Sequence, residues 1–126
     1  MAKKIFLSSG ELSSELHTEM VLRAFAEKYP GRFTFFGLGG RVAEAAGLRL
    51  VENIVDRAVI GFAEAVKNLG YFRNLLNRIA GMMARREMDG VFLVDYPGLN
   101  LHIARLAAKP AHCPSRYRNV SVWAAM

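Results

Sequence analysis

The residues best able to do chemistry gather in three short segments. Asp95 directly follows the apolar run Val91-Phe-Leu-Val94 and precedes Tyr96-Pro97-Gly98 and Asn100. A carboxylate at the end of a buried strand is partly desolvated, a condition that suits it to general-base work. Asn100 is spaced to orient either Asp95 or a substrate hydroxyl, and both residues equally suit helix capping. The second segment is Ser8-Ser-Gly-Glu-Leu-Ser-Ser14. Here Gly10 lets the backbone approach a ligand closely, and Ser13 with free amides at a helix start suits a phosphate or a sugar. Glu11 adds a carboxylate able to hold a sugar hydroxyl. An ordinary capped helix start uses the same residue types. The third segment, Gly37-Leu-Gly-Gly40, falls short of a dinucleotide fingerprint, because Val42 stands where the last glycine is needed. A tight strand-to-helix turn accounts for it. His17 and His102 lie on helical segments, where packing or surface roles are as ordinary as catalytic ones. No His/Cys/Asp cluster has metal-ligand spacing, so neither metal nor cofactor is expected.

These segments must be held by elements. Lys4 to Ser8, Phe33 to Leu38, Leu48 to Val51 and Val91 to Val94 have the apolar character of strands. Between them lies a helix carrying Leu16, Met20, Val21 and Phe25, with Ser13 as its expected cap and Tyr29-Pro30-Gly31 as its end. A short helix follows at Val42 to Ala46. The stretch from Ile60 to Glu87 is helical in pattern, with a break expected at Gly70, and Leu99 to Lys109 is the last helix. Strands alternating with helices predict an α/β fold, a Rossmann-like parallel sheet sandwiched by helices with right-handed crossovers. In such sheets ligands bind at the carboxyl ends of the strands, where all three segments fall.

Composition narrows the class. The chain has 126 residues, 52% of them apolar, enough for one domain with a core. The single cysteine, Cys113, excludes an internal disulfide framework and fits a reducing compartment. No run approaches the ~20 apolar residues of a membrane-spanning helix, so a cytoplasmic protein is expected. The net charge is +6, with Arg73, Arg78, Arg85 and Arg86 in one group and Arg105, Lys109, Arg116 and Arg118 in another. Such surfaces suit nucleic acid, anionic lipid or phosphorylated substrates, and equally an ordinary solvated face. Apolar Phe62, Val66, Leu69, Phe72, Leu75 and Leu76 alternate with Lys67, Arg73 and Arg78, a mixture fitting either an anionic membrane surface or core-packing helices.

The motifs, in order, resemble those of one family. Gly10-Glu-Leu-Ser-Ser-Glu-Leu-His17 is similar to the G-E-x-S-G-D-x-H signature of lipid-A-disaccharide synthases. Phe36-Gly-Leu-Gly-Gly40 with Glu44-Ala-Ala-Gly47, Ala58-Val-Ile-Gly-Phe-Ala-Glu-Ala-Val66, and Val94-Asp-Tyr-Pro-Gly-Leu-Asn100 resemble later motifs of that family. Ser121-Val-Trp-Ala124 is similar to part of its S-P-S-V-W-A-W. The resemblance implies a GT-B glycosyltransferase that moves diacylglucosamine from UDP-diacylglucosamine to diacylglucosamine 1-phosphate, with inversion and without a metal. It implies Asp95 as catalytic base, Gly10, Glu11, Ser13 and Asn100 as substrate-binding residues, and the 60–79 segment as the part that meets acyl chains. It also implies a peripheral position at the inner face of a bacterial inner membrane, with no nucleic-acid partner. The rival reading is a basic membrane- or RNA-binding α/β module without catalysis.

Two departures stand out. Ser14-Glu15 replaces the signature Gly-Asp, putting a side chain where the pattern has none. After Ala108 the apolar strand of the family pattern gives way to Lys109-Pro-Ala-His-Cys-Pro-Ser-Arg-Tyr-Arg-Asn119. Prolines and arginines make a poor central strand, so a lost strand and an exposed sheet edge are expected. On this reading residues 1–109 form the acceptor-side domain and residues 110–126 a divergent, frame-disturbed tail. The donor-binding domain is absent, and the chain alone is expected to be inactive.

Overall fold

The computed structural model describes residues 2–55, 69–94, 97–108 and 121–123. The chain runs β1 (Lys3–Ser9), α1 (Leu12–Lys28), β2 (Phe33–Gly39), α2 (Arg41–Ala45), β3 (Arg49–Asn53), α3 (Leu69–Ala84), β4 (Gly90–Val94), α4 (Pro97–Ala108) and β5 (Ser121–Trp123). The strands form one parallel sheet in the order β3-β2-β1-β4-β5. The arrangement is the α/β, Rossmann-like sheet with helices on both faces that the alternation of elements predicts.

Successive strand residues point to opposite faces, so a strand covered on both sides must be apolar throughout. Phe6, Phe36, Leu38, Val91 and Leu93 pack on one face against Leu75, Ile79 and Met83 of α3 and Leu99, Ile103 and Ala107 of α4. Each helical set repeats every four residues, the spacing that keeps one stripe on the core. On the other face Leu7 and Phe35 meet Leu22 of α1, Ala43 and Leu48.

Gly37 sits opposite a bulge in β3. Register passes from Gly37↔Leu50 to Leu38↔Glu52, leaving Val51 unmatched. Its φ is 147°, and a Cβ there would strike the Leu7 backbone carbonyl. Only glycine fits both demands.

Several expectations change. α1 packs through Ser14, Glu15, Thr18 and Leu22. Leu12, Leu16 and Met20, about a turn apart, are exposed at 66%, 64% and 69% and form an outward apolar stripe. Glu11 rather than Ser13 is the N-cap, and the Ser14 hydroxyl accepts the Glu11 amide at 3.2 Å. The described part of α3 runs from Leu69 to Ala84, short of the expected end at Glu87, and Arg86 beyond it adopts a φ of 56°. The exposed sheet edge is a further correction. Ser121–Trp123 pairs in parallel with Phe92–Val94, so this part of the β4 edge is covered. The β-branched Val122 and aromatic Trp123 suit the strand found at Ser121–Trp123.

Candidate functional site

The chain steps from β1 to β2 and β3 on one side, then crosses to β4 and β5 on the other. The connections leaving β1 and β4 therefore diverge, which makes the carboxyl ends of this pair the topological switch point of the sheet. Ser9 of β1 is in register with Val94 of β4 there. Asp95, the next residue after Val94, lies outside the described residues, as do Tyr96, Phe62 and Val66, and also the side chain of Leu69.

A set of buried polar side chains borders this edge. Asn100, in the first turn of α4 and 2% exposed, accepts the Ser8 hydroxyl on Oδ1 at 2.6 Å. Its Nδ2 donates to the Val94 carbonyl at 3.2 Å and to the Ser8 carbonyl at 3.4 Å. One amide side chain thus joins the ends of β1 and β4 to the start of α4. Ser8 reaches it from one face of the sheet, while the next residue, Ser9, points to the other.

On that other face the Ser9 hydroxyl meets the Ser14 hydroxyl at 2.9 Å. Ser14 Oγ donates in turn to the Glu11 carbonyl at 2.7 Å. The side chain that departs from the family glycine is therefore absorbed into the cap of α1. Gly10 is buried beneath this turn, while Glu11 and Ser13 are exposed at its rim. Thr18 donates back to the Ser14 carbonyl at 2.9 Å, satisfying its hydroxyl within the helix.

Glu15 stands where the signature has its aspartate, and no role was assigned to it from the sequence. It is 1% exposed, and Oε2 accepts the Ala43 amide of α2 at 2.7 Å. Glu15 belongs to the same stripe as Thr18 and Leu22, so helical spacing was the signal available for its burial.

The histidines stand apart from this network. His17 is half-buried on α1 and His102 is exposed on α4. Of the apolar residues expected at a membrane, Leu75 is 2% exposed and lies in the core, while half-buried Phe72 and Leu76 pack at its margin. Arg78 is 3.3 Å from Glu52 and Arg85 is 3.1 Å from Glu87, so part of the basic group is locally balanced. Among the described residues no helix is long and apolar enough to cross a membrane, and no group of three or more His, Cys, Asp or Glu is arranged to hold a metal ion.

The family model of lipid-A-disaccharide synthetase matches residues 5–124. The chain belongs to the lipid-A-disaccharide synthetase family. It is 32% identical over 123 residues to the lipid-A-disaccharide synthase of Syntrophus aciditrophicus, covering 98% of this chain and 32% of that protein. It is 34% identical over 104 residues to the Acidobacterium capsulatum synthase, covering 82% of this chain and 26% of that protein. Lipid-A-disaccharide synthase 1 of Legionella pneumophila strain Lens is 31% identical over 108 residues, covering 86% of this chain and 28% of that protein. The chain thus spans about a third of the length of these curated lipid-A-disaccharide synthases or less.

Proposed function

We propose that this chain is the amino-terminal, acceptor-side part of an inverting glycosyltransferase of lipid A biosynthesis. The donor is UDP-diacylglucosamine and the acceptor diacylglucosamine 1-phosphate. The observation carrying this reading is the latch of Asn100, Ser8 and Val94 at the switch point, directly beside the position of Asp95 in the chain. A base that follows Val94 begins from a fixed strand end, and fixed geometry is what turns a carboxylate into an efficient catalyst.

In this mechanism Asp95 takes the proton from the acceptor hydroxyl as that oxygen attacks the anomeric carbon of the donor. Attack from the face opposite UDP inverts the configuration, and UDP leaves with the bonding electron pair. Glu11, Ser13 and the Gly10 backbone border the acceptor sugar. Asn100 serves through the strand ends that it joins. In this mechanism the donor-binding half and the remaining catalytic groups belong to a second domain.

Support for a membrane-surface position comes from α3, where half-buried Phe72 and Leu76 lie close in sequence to exposed Arg73. Apolar and basic side chains together favour the surface of an anionic bilayer, here the inner face of a bacterial inner membrane. Contact there runs through Phe72 and Leu76, since Leu75 is taken up by the core.

Calorimetric titration of the chain with diacylglucosamine 1-phosphate in mixed micelles tests the acceptor reading. Saturable binding is expected, with no comparable affinity for UDP. Binding of UDP but not of the acceptor would reverse the assignment of the two halves.

A further inference from the structure

Glu15 has a cost that packing alone does not repay. A carboxylate at 1% exposure gives up most of its hydration, and an apolar side chain of similar size would fill the same space without that loss. What the carboxylate supplies is direction. Its Oε2 accepts the Ala43 amide, tying α1 to α2. Its Oε1 occupies the space where a side chain on Gly40 would begin, and the Val55 Cβ would stand 2.9 Å from that same Cβ. Gly40 is the N-cap of α2 and ends the turn that leaves β2 at the carboxyl edge. Four residues before Glu15, Glu11 caps α1 on the turn that leaves β1.

We infer that Glu15 is a positioning residue, a strut that sets the spacing between the turn after β1 and the turn after β2 on the acceptor side of the cleft. The inference rests on the proposed acceptor role of this edge and adds a residue to it. Side-chain length and an acceptor oxygen are the requirements. Glutamine retains both, aspartate is one methylene short, and alanine has neither. The strut acts through the two turns without touching the substrate, so its removal loosens the bound geometry while the core on both faces of the sheet stays intact.

The test compares wild type, Glu15→Gln, Glu15→Asp and Glu15→Ala in the 126-residue chain. Hydrogen exchange at the Ala43 amide reports the strut, and titration with diacylglucosamine 1-phosphate in mixed micelles reports the site. Leu22→Ala, which trims the packing of α1 without touching the turn, serves as the control. Expected are acceptor affinity within threefold of wild type for Glu15→Gln and for Leu22→Ala, and at least a tenfold loss for Glu15→Asp and Glu15→Ala. Protection of the Ala43 amide should fall in parallel. If Glu15→Ala fails to fold, the order of Gln and Asp decides. Aspartate binding better than glutamine would mean that charge, not reach, is what matters, and would overturn the strut. So would equal affinity in all variants once Ala43 protection is lost, or an equal loss in Leu22→Ala. Failure of the wild-type chain to bind acceptor, with Ala43 protected, would instead remove the proposed function and the inference together.

Discussion

Asn100→Leu isolates the latch at the switch point. Leucine has the same branched outline and number of side-chain heavy atoms and keeps the helix, so the main change is the loss of polar contacts. Among the described residues three hydrogen bonds are lost: the short one from the Ser8 hydroxyl at 2.6 Å, one to the Val94 carbonyl at 3.2 Å and a long one to the Ser8 carbonyl at 3.4 Å. A typical net contribution is about 1 kcal/mol per bond, and a buried group left without its partner costs about 1–3 kcal/mol. Giving the long bond half weight and taking the stranded Ser8 hydroxyl in place of its lost bond, the expected loss is about 2.5–4.5 kcal/mol. Ser8→Ala removes only the first bond and should cost about 1–2 kcal/mol. Because the two residues share that bond, the double variant should be less destabilised than the sum, with a coupling of about 1–2 kcal/mol. Urea unfolding followed by circular dichroism measures all four corners of this cycle. An Asn100→Leu cost below about 0.5 kcal/mol, the range of ordinary surface changes, would refute the reasoning. Strict additivity of the two variants would refute the shared bond.

Other expectations follow from the same structure. Gly37→Ala combines a positive φ with a backbone collision and should destabilise by about 3 kcal/mol or more, measured by the same unfolding assay. Leu16→Glu and Met20→Lys change exposed positions of α1 and should stay within about 0.5 kcal/mol of wild type in that assay. Leu93→Ala, by contrast, opens a cavity in the middle of the sheet and should cost about 2–5 kcal/mol, visible as a large drop in the urea midpoint. Arg73→Glu, at an exposed position of α3, should lower flotation with anionic vesicles while leaving the urea midpoint within the spread of surface changes, and unchanged flotation would remove α3 from the membrane contact.

Much of the frame was legible because apolar pattern and chain breaks agree with each other. Val91 to Val94 is continuously apolar because helices cover both faces of β4, and the segment was a strand in either view. The first helix was harder. Its larger apolar residues, Leu16 and Met20, suggested a core stripe, yet the smaller and more polar Ser14, Glu15 and Thr18 face the sheet. The physical reason is the set of buried contacts at that end, where hydroxyls and a carboxylate have partners ready to receive them. Ser13 was expected to cap this helix, but the cap falls two residues earlier, where Ser14 can reach back to Glu11. The tail is different again. Its prolines and arginines do argue against a strand, but Ser121–Trp123 supplies one just beyond them. Of the candidate site, the strand-end location of Gly10, Glu11, Ser13 and Asn100 was legible from motif order, and the burial of Asn100 was not, because it depends on Ser8, far away in the chain.

The most direct test of the central claim joins this chain to the remaining length of the Syntrophus aciditrophicus relative and measures UDP release from UDP-diacylglucosamine in the presence of diacylglucosamine 1-phosphate. Transfer by the joined protein is expected, with Asp95→Ala folding normally and losing about a thousandfold or more in kcat, since it removes both the proton acceptor and its placement. Near-normal turnover in Asp95→Ala, or a joined protein that folds yet transfers nothing, would contradict the account.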